Sequence, residues 1–332
     1  MTNKTCLIIG FGRMGKLYYQ ILKTLNFKKI YIVSKPLDEK YITDKFFFKD
    51  IKDFKNQKIK VNLGVVATTA DVHEFYVKEL AKLKVKFIMV EKPISNSFES
   101  AKEMIKICKK NKSVLSVNHS SRFSAAIKLI KKIRDKKELG NLVSINVIGG
   151  NMGLAMNGVH FFDIFNYLTK SSIKHVTAEI DKKILINPRG KKFKDNSGLV
   201  IAKNDNKQFL YLNLSEQQGH GKTMSVVFRN GIIFIDSLTG KIYISKRFKK
   251  NFKLDTRFYS TKSNNKVFKL RDNIKESTKN SIQNLIKKKN YVTGAEGLEA
   301  IKAVIAALES SNQKGKSINL QSINKTKKFN WA

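Results

Sequence analysis

Cys6-Leu7-Ile8-Ile9 is a short apolar run, and Gly10-Phe11-Gly12-Arg13-Met14-Gly15 follows it without a break. A run that short, with no polar alternation, reads as a strand buried on both faces of a parallel sheet. Beyond it, Leu17, Tyr18, Ile21, Leu22 and Leu25 recur at helical spacing. Three glycines between a strand and a helix have separate uses. Gly10 permits the tight turn, Gly12 lets a pyrophosphate approach the backbone, and Gly15 lets the helix pack close to the strand. The helix N-terminus then offers unpaired N–H groups to an anion. The segment, with Phe11, Arg13 and Met14 carried in it, predicts the dinucleotide-binding turn of a βαβ unit.

Outward from that turn the alternation of strand and helix continues. Ile30–Val33, Leu63–Ala67, Phe87–Val90 and Val114–Val117 read as strands. Between them, Val72, Phe75, Tyr76, Leu80 and Leu83 predict one helix face, and Phe98, Ala101, Met104, Ile105 and Cys108 another. After about residue 120 the pattern changes. A helix through Ile127, Ile130 and Ile133 leads to a strand at Leu142–Val147, and 176–270 is strand-rich. Ser225–Phe228 and Ile232–Ile235 flank Arg229-Asn230-Gly231, which predicts a turn-linked pair. A last helix is expected at about 294–310, and the final twenty residues are expected to be peripheral. The class expected is α/β, an N-terminal doubly wound parallel Rossmann sheet over 1–119. A C-terminal α/β domain with a largely antiparallel open sheet is expected over 120–332.

Composition agrees with two folded domains: 332 residues, of which 42% are hydrophobic. No uninterrupted apolar run approaches the ~18 residues of a transmembrane helix, and the N-terminal run is too short for a signal-peptide core. Cys6 and Cys108 lie inside apolar patterns and make no disulfide framework, so a cytoplasmic setting is expected. Lys and Arg number 65 against 26 Asp and Glu, a net charge of +39. Only 8 of those cations are Arg, the side chain suited to bidentate recognition of bases and phosphates, and the lysines run along the whole chain. Nucleic acid is therefore not the partner expected, although 241–290 holds 16 basic residues. Acidic or phosphorylated small molecules remain attracted by such a surface.

The end of the second strand should meet the adenosine ribose. It reads Ser34-Lys35, a hydroxyl and an ammonium, where an acid would favour the free 2′-hydroxyl of NAD. NADP is accordingly preferred over NAD; Asp38, the nearest acid, lies beyond Pro36. Glu91-Lys92-Pro93 ends a buried strand at the edge where open parallel sheets bind ligands, and a lysine there can exchange a proton with a hydroxyl or carbonyl. In 150–168, a helix over about 156–168 puts Phe161, Phe162, Phe165 and Leu168 on one face. His160, Asp163 and Tyr167 fall opposite, with Met156 and Asn157 just upstream, as a polar stripe able to line a cleft. Asp163 is placed to set the tautomer of the imidazole. His73, His119, His175 and His220 show no metal-ligand spacing, and no metal is expected.

Together these segments resemble the Gfo/Idh/MocA oxidoreductases, the relatives of glucose–fructose oxidoreductase and inositol dehydrogenase. The resemblance rests on Gly10–Gly15, Ala67-Thr68-Thr69 with His73, Val90-Glu91-Lys92-Pro93, Asn118-His119-Ser120-Ser121-Arg122-Phe123, Gly158–Asp163 and Gly294–Ala300, in family order. It implies a nicotinamide over the glycine-rich turn and a sugar, cyclitol or sugar-nucleotide substrate. It also implies oligomers formed through the C-terminal sheet, with Lys92 as the catalytic lysine and His160 as its partner. Ala67, Thr68, Thr69, His73, Glu91 and Asn118 would then border the coenzyme. Many members carry Asp four residues before that histidine; here Met156 stands there, and Asn157 is the nearest polar replacement. A non-catalytic dinucleotide-binding sensor of the same fold is the alternative, favoured by Met156 and opposed by Lys92 and His160.

Overall fold

A computed structural model describes residues 4–35, 46–185, 187, 189–255, 263–270 and 272–331, with backbone alone at 183–185. Pro36 and Asp38 lie outside the described residues. The chain forms two compact units, one of 1–120, 274–301 and 325–332, the other of 121–273 and 302–324.

The first unit is built on β1 (Thr5–Ile9), β2 (Lys29–Val33), β3 (Phe47–Phe48), β4 (Leu63–Val66), β5 (Phe87–Val90) and β6 (Val114–Val117). All pair in parallel, in the order β3-β2-β1-β4-β5-β6, so the direction of winding reverses between β1 and β4. The connecting helices are α1 (Arg13–Thr24), α2 (Ile51–Asn56), α3 (His73–Lys82) and α4 (Phe98–Lys110). Met14, Tyr18, Ile21 and Leu22 of α1 pack with Cys6, Ile8, Ile32 and Val65 of the sheet in one apolar cluster. Asp50 caps α2 by accepting from the N–H groups of Lys52 and Asp53, and Ser97 caps α4 by accepting from Ser100 N–H.

Three expectations change here. The buried side of α3 runs through His73, Val77, Leu80 and Ala81, whereas Phe75 is 54% exposed. A short 3₁₀ turn over 70–72 precedes α3 and leaves Val72 exposed, so the face rotates away from the one the spacing suggested. A helix unforeseen in the sequence, α7 (Ile274–Lys287), returns to this unit and adds Ile282 and Leu285 to the cluster. The final residues are not peripheral. Trp331 is buried and stacks on Phe329 at 4.5 Å, and Phe329 exchanges two hydrogen bonds with Asn96.

The second unit carries α5 (Ala125–Asp135), β7 (Leu142–Ile148), α6 (Val159–Thr169), β8 (Ile173–Leu185), β9 (Asp195–Asn204), β10 (Phe209–Asn213), β11 (Thr223–Phe228), β12 (Gly231–Asp236), β13 (Lys241–Arg247) and β14 (Ser263–Lys269). α8 (Gly294–Asn312) gives its first eight residues to the first unit and the rest to the second, where β15 (Ile318–Asn319) follows. The nine strands run β14-β13-β12-β11-β7-β10-β9-β8-β15, antiparallel except for β10 beside β7. β11 and β12 form the expected hairpin, with Arg229 and Asn230 as its two loop residues. One face of this sheet is open: Ile201, Tyr211, Phe234, Tyr243 and Val267 lie on one register row, broken by Asn146 and Ser225 between Tyr211 and Phe234, and are each more than a third exposed.

Candidate functional site

In the first unit the three glycines meet three different surroundings. Gly10 has φ of 89°, and a Cβ there would stand 2.7 Å from Ala67 O and 3.0 Å from Thr68 Cγ2. The turn after β1 therefore lies against the turn after β4, at the switch point where open α/β sheets bind ligands. A Cβ at Gly15 would stand 2.1 Å from Gly10 O, which is the close helix–strand packing. Gly12 has nothing within 4 Å of such a Cβ, and it caps α1 without any side-chain hydrogen bond. An open backbone at an uncapped helix N-terminus fits a pyrophosphate. Nearby, the Thr68 hydroxyl is buried with no hydrogen-bond partner among the described residues. These features fit a dinucleotide.

The neighbouring side chains take different places. Ser34 Oγ accepts from Phe11 N–H at 3.2 Å, so the end of β2 is tied to the glycine turn; Lys35 is exposed beside it. The Phe11 ring is buried edge-on to Tyr19 and Phe47, and Met14 is part of the core, which leaves backbone as their contribution. Arg13 is exposed. The Thr69 hydroxyl donates to Asp71 at 2.5 Å. His73 is buried between two carbonyl oxygens, Ile94 O at 3.1 Å from Nδ1 and Thr68 O at 3.2 Å from Nε2. Burial pushes the imidazole below its ordinary range. The ring thereby links the turn after β4 to the segment after Lys92.

Glu91 is 5% exposed, and one of its oxygens accepts from both Tyr18 Oη at 2.7 Å and Asn118 Nδ2 at 2.8 Å. Burial and the facing carboxylate push the Tyr18 phenol well up, keeping it protonated as a donor. The residue before Lys92 is thus held from α1 and from the end of β6, while Lys92 itself is half-buried at the end of β5. Tyr18 was legible only as a core residue, because its hydroxyl bond spans 73 positions.

In the second unit, a wide π-helical turn, Leu154–Gly158, runs straight into α6. Phe161, Phe162, Phe165 and Leu168 are buried as the periodicity predicts, and His160 is half-buried. Asp163 departs from expectation. Its side chain does not line an open polar stripe; it is 1% exposed and paired with Arg122 through Nε at 3.0 Å and through Nη2. Tyr167 lies over the same guanidinium at 4.7 Å. Helical spacing gives direction around α6 but not what packs there, and the turn carrying Arg122 covers that side. Met156 Sδ accepts a weak bond from Asn187 Nδ2 at 3.3 Å, and Asn157 is half-buried. Lys222, which no motif singled out, holds its Nζ 5.6 Å from the Phe161 ring and lines a cavity of about 320 Å³; burial pushes its ammonium down. Among the described residues no cluster of three or more His, Cys, Asp or Glu could hold a metal ion, and no helix is long and apolar enough to cross a membrane.

Comparison with known proteins bears on this geometry. Residues 4–119 match the family model described as an oxidoreductase family with an NAD-binding Rossmann fold, Gfo/Idh/MocA. No curated protein matches the sequence at a significant level. Among solved structures, an oxidoreductase from Agrobacterium radiobacter in complex with NAD+, L-tartaric acid and magnesium superposes with a TM-score of 0.79 at 17% identity, covering 97% of this chain and 99% of that one. Levoglucosan dehydrogenase in complex with NADH and levoglucosan gives 0.76 at 15%, covering 96% and 99%. The super-repressor mutant of Gal80p from Saccharomyces cerevisiae gives 0.75 at 14%, covering 96% and 98%. The family match thus covers residues 4–119, and over its length the chain has the two-part α/β fold of these solved structures.

Proposed function

We propose that the chain is an NAD(P)-dependent oxidoreductase acting on a sugar-like hydroxyl or carbonyl: a sugar, cyclitol or sugar nucleotide. The observation that carries this is the turn at the β1/β4 switch point, where Gly10 and Gly15 are sterically obligatory and Gly12 alone is left open. Bound there, a nicotinamide coenzyme supplies or accepts the hydride. Gly12 and the first N–H groups of α1 hold the pyrophosphate, and Ser34 with Lys35 meets a 2′-phosphate, so NADP is the preferred form. Lys92 gives its proton to the substrate oxygen in reduction and takes it back in oxidation, with His160 as the assisting imidazole. Glu91, fixed by Tyr18 and Asn118, holds the strand end from which Lys92 projects. A relative of this fold bound to NADH and levoglucosan supports the substrate class.

The test is Lys92→Ala assayed with NADPH and NADH against a panel of sugars, sugar nucleotides and cyclitols. Coenzyme binding should persist while turnover falls about a hundred- to ten-thousandfold. Normal turnover in that variant would remove the role assigned to Lys92.

A non-catalytic dinucleotide sensor is the second reading, favoured by Met156 and by a fold shared with a repressor. It predicts coenzyme binding with no absorbance change of reduced nicotinamide in single turnover with any of the panel.

We also propose that a second copy covers the open sheet face bearing Tyr211, Phe234 and Tyr243, since exposed aromatic side chains gathered on one sheet face mark an association surface. Phe234→Asp should shift the mass measured by light scattering to that of one chain. The two cysteines are free and buried, which suits a reducing, cytoplasmic compartment.

A further inference from the structure

The helix that carries His160 has no acidic residue of its own in its first turn, and neither does the π-helical turn that leads into it. The residues at the two N-cap positions, Gly153 and Gly158, have no side chain to cap either start. The carboxylate at that place arrives from elsewhere: Asp195, the first residue of β9, accepts from Ala155 N–H at 2.9 Å and from Met156 N–H at 2.8 Å. Asp195 is 3% exposed. Room for it is written into the sequence at Gly153, where a Cβ would stand 2.0 Å from Asp195 Oδ2 and 2.3 Å from its Cγ. Asp195 also accepts from the N–H of Asn196, which fixes its own orientation at the strand start.

We infer that Asp195 is a positioning residue for His160, a helix cap supplied from another strand. A carboxylate that takes two backbone N–H bonds at a helix start holds that start by charge-assisted bonds and by attraction to the positive end of the peptide dipoles. His160 follows Met156 by one helical turn, so the direction of its imidazole depends on where Ala155 and Met156 are held. Asn157 N–H, one residue on, is bonded to Gly153 O at 2.8 Å, so the turn from 153 to 157 is closed on itself around the two N–H groups that Asp195 holds. The inference rests on the oxidoreductase reading only for its consequence in turnover; the anchoring itself is independent of it.

Two single variants separate the possibilities, Asp195→Asn and Gly153→Ala. The first keeps one acceptor and turns an NH2 toward an N–H; the second forces the carboxylate off its seat. In side-chain NMR of the free protein, with the His160 resonance assigned by its loss in His160→Gln, both variants should shift that resonance. Both should also lose protection of the Met156 N–H from hydrogen exchange. In kinetics with a substrate the parent turns over, both should lower kcat about a hundredfold, the size expected for a misplaced catalytic group, with KM for coenzyme within about twofold. Unchanged resonance and protection in both variants overturns the inference, as does an unchanged kcat. Should the parent turn over nothing in the panel, the oxidoreductase reading fails while the NMR arm still decides the anchoring. If Asp195→Asn does not fold, Gly153→Ala alone carries the test.

Discussion

Removing one member of the Arg122–Asp163 pair should destabilise the second unit by more than any other single polar substitution near α6. Both side chains are nearly inaccessible, 3% for Arg122 and 0% for Asp163, so neither charge recovers water when its partner is lost. A buried pair broken on one side costs about 3–5 kcal/mol. With a urea dependence of about 2 kcal/mol per M, Asp163→Asn should lower the unfolding midpoint by about 1.5–2.5 M. Replacing both partners removes both buried charges. Arg122→Met with Asp163→Leu should then lose only the Tyr167 contact of the guanidinium, about 0.5–2 kcal/mol. The assay is urea titration followed by far-ultraviolet circular dichroism, because Trp331 belongs to the other unit and its fluorescence reports elsewhere. A midpoint for Asp163→Asn within about 0.3 M of the parent, or a double variant as unstable as the single, would refute the reasoning.

Three further outcomes follow from the geometry. Gly12→Ala should leave thermal stability unchanged and raise the coenzyme Kd at least about tenfold, since its methyl meets only the bound pyrophosphate. Gly15→Ala should lower stability by about 1–3 kcal/mol or more even without coenzyme; calorimetry of both variants checks the contrast. Lys35→Ala should weaken NADPH binding roughly ten- to a hundredfold and leave NADH unaffected, measured by titration. Asp135 is held by Lys131 and Arg134 at a pKa of about 2, below its ordinary 3.8. Its contribution to stability is therefore complete above about pH 4 and lost as pH falls to about 2. Asp135→Asn should flatten that part of the acid limb in a series of Tm values.

What the sequence disclosed, and what it hid, divides along physical lines. The glycine turn was legible because each glycine answers a backbone requirement that local spacing exposes. β1, β4 and β5 were legible because a strand buried on both faces is continuously apolar. α7 was missed because its buried side includes Ser277, Thr278 and Ser281, small hydroxyls that read as loop rather than core. The buried carboxylates Asp163 and Asp195 were hidden for another reason. An acid inside a protein is spelled like an acid on its surface, and only the partner, 41 positions away for Asp163 and 39 or 40 for Asp195, tells them apart. Gly153 held a faint trace of Asp195, since a glycine before a helix is ordinary unless something occupies the missing methyl. The division into units also escaped a linear reading, because 274–301 and 325–332 join residues from the other end of the chain.

That return has a consequence for biogenesis. Ribosomes release the first six strands about 165 residues before Ile282 and Leu285 exist to cover α1, and Trp331 arrives later still. During that interval the nascent sheet shows greasy surface on the side α7 will occupy, so trigger-factor-like holdases should engage it there. A fragment ending near residue 120 should for the same reason aggregate when expressed alone, whereas joining 274–331 to it through a flexible tether should restore a monodisperse product.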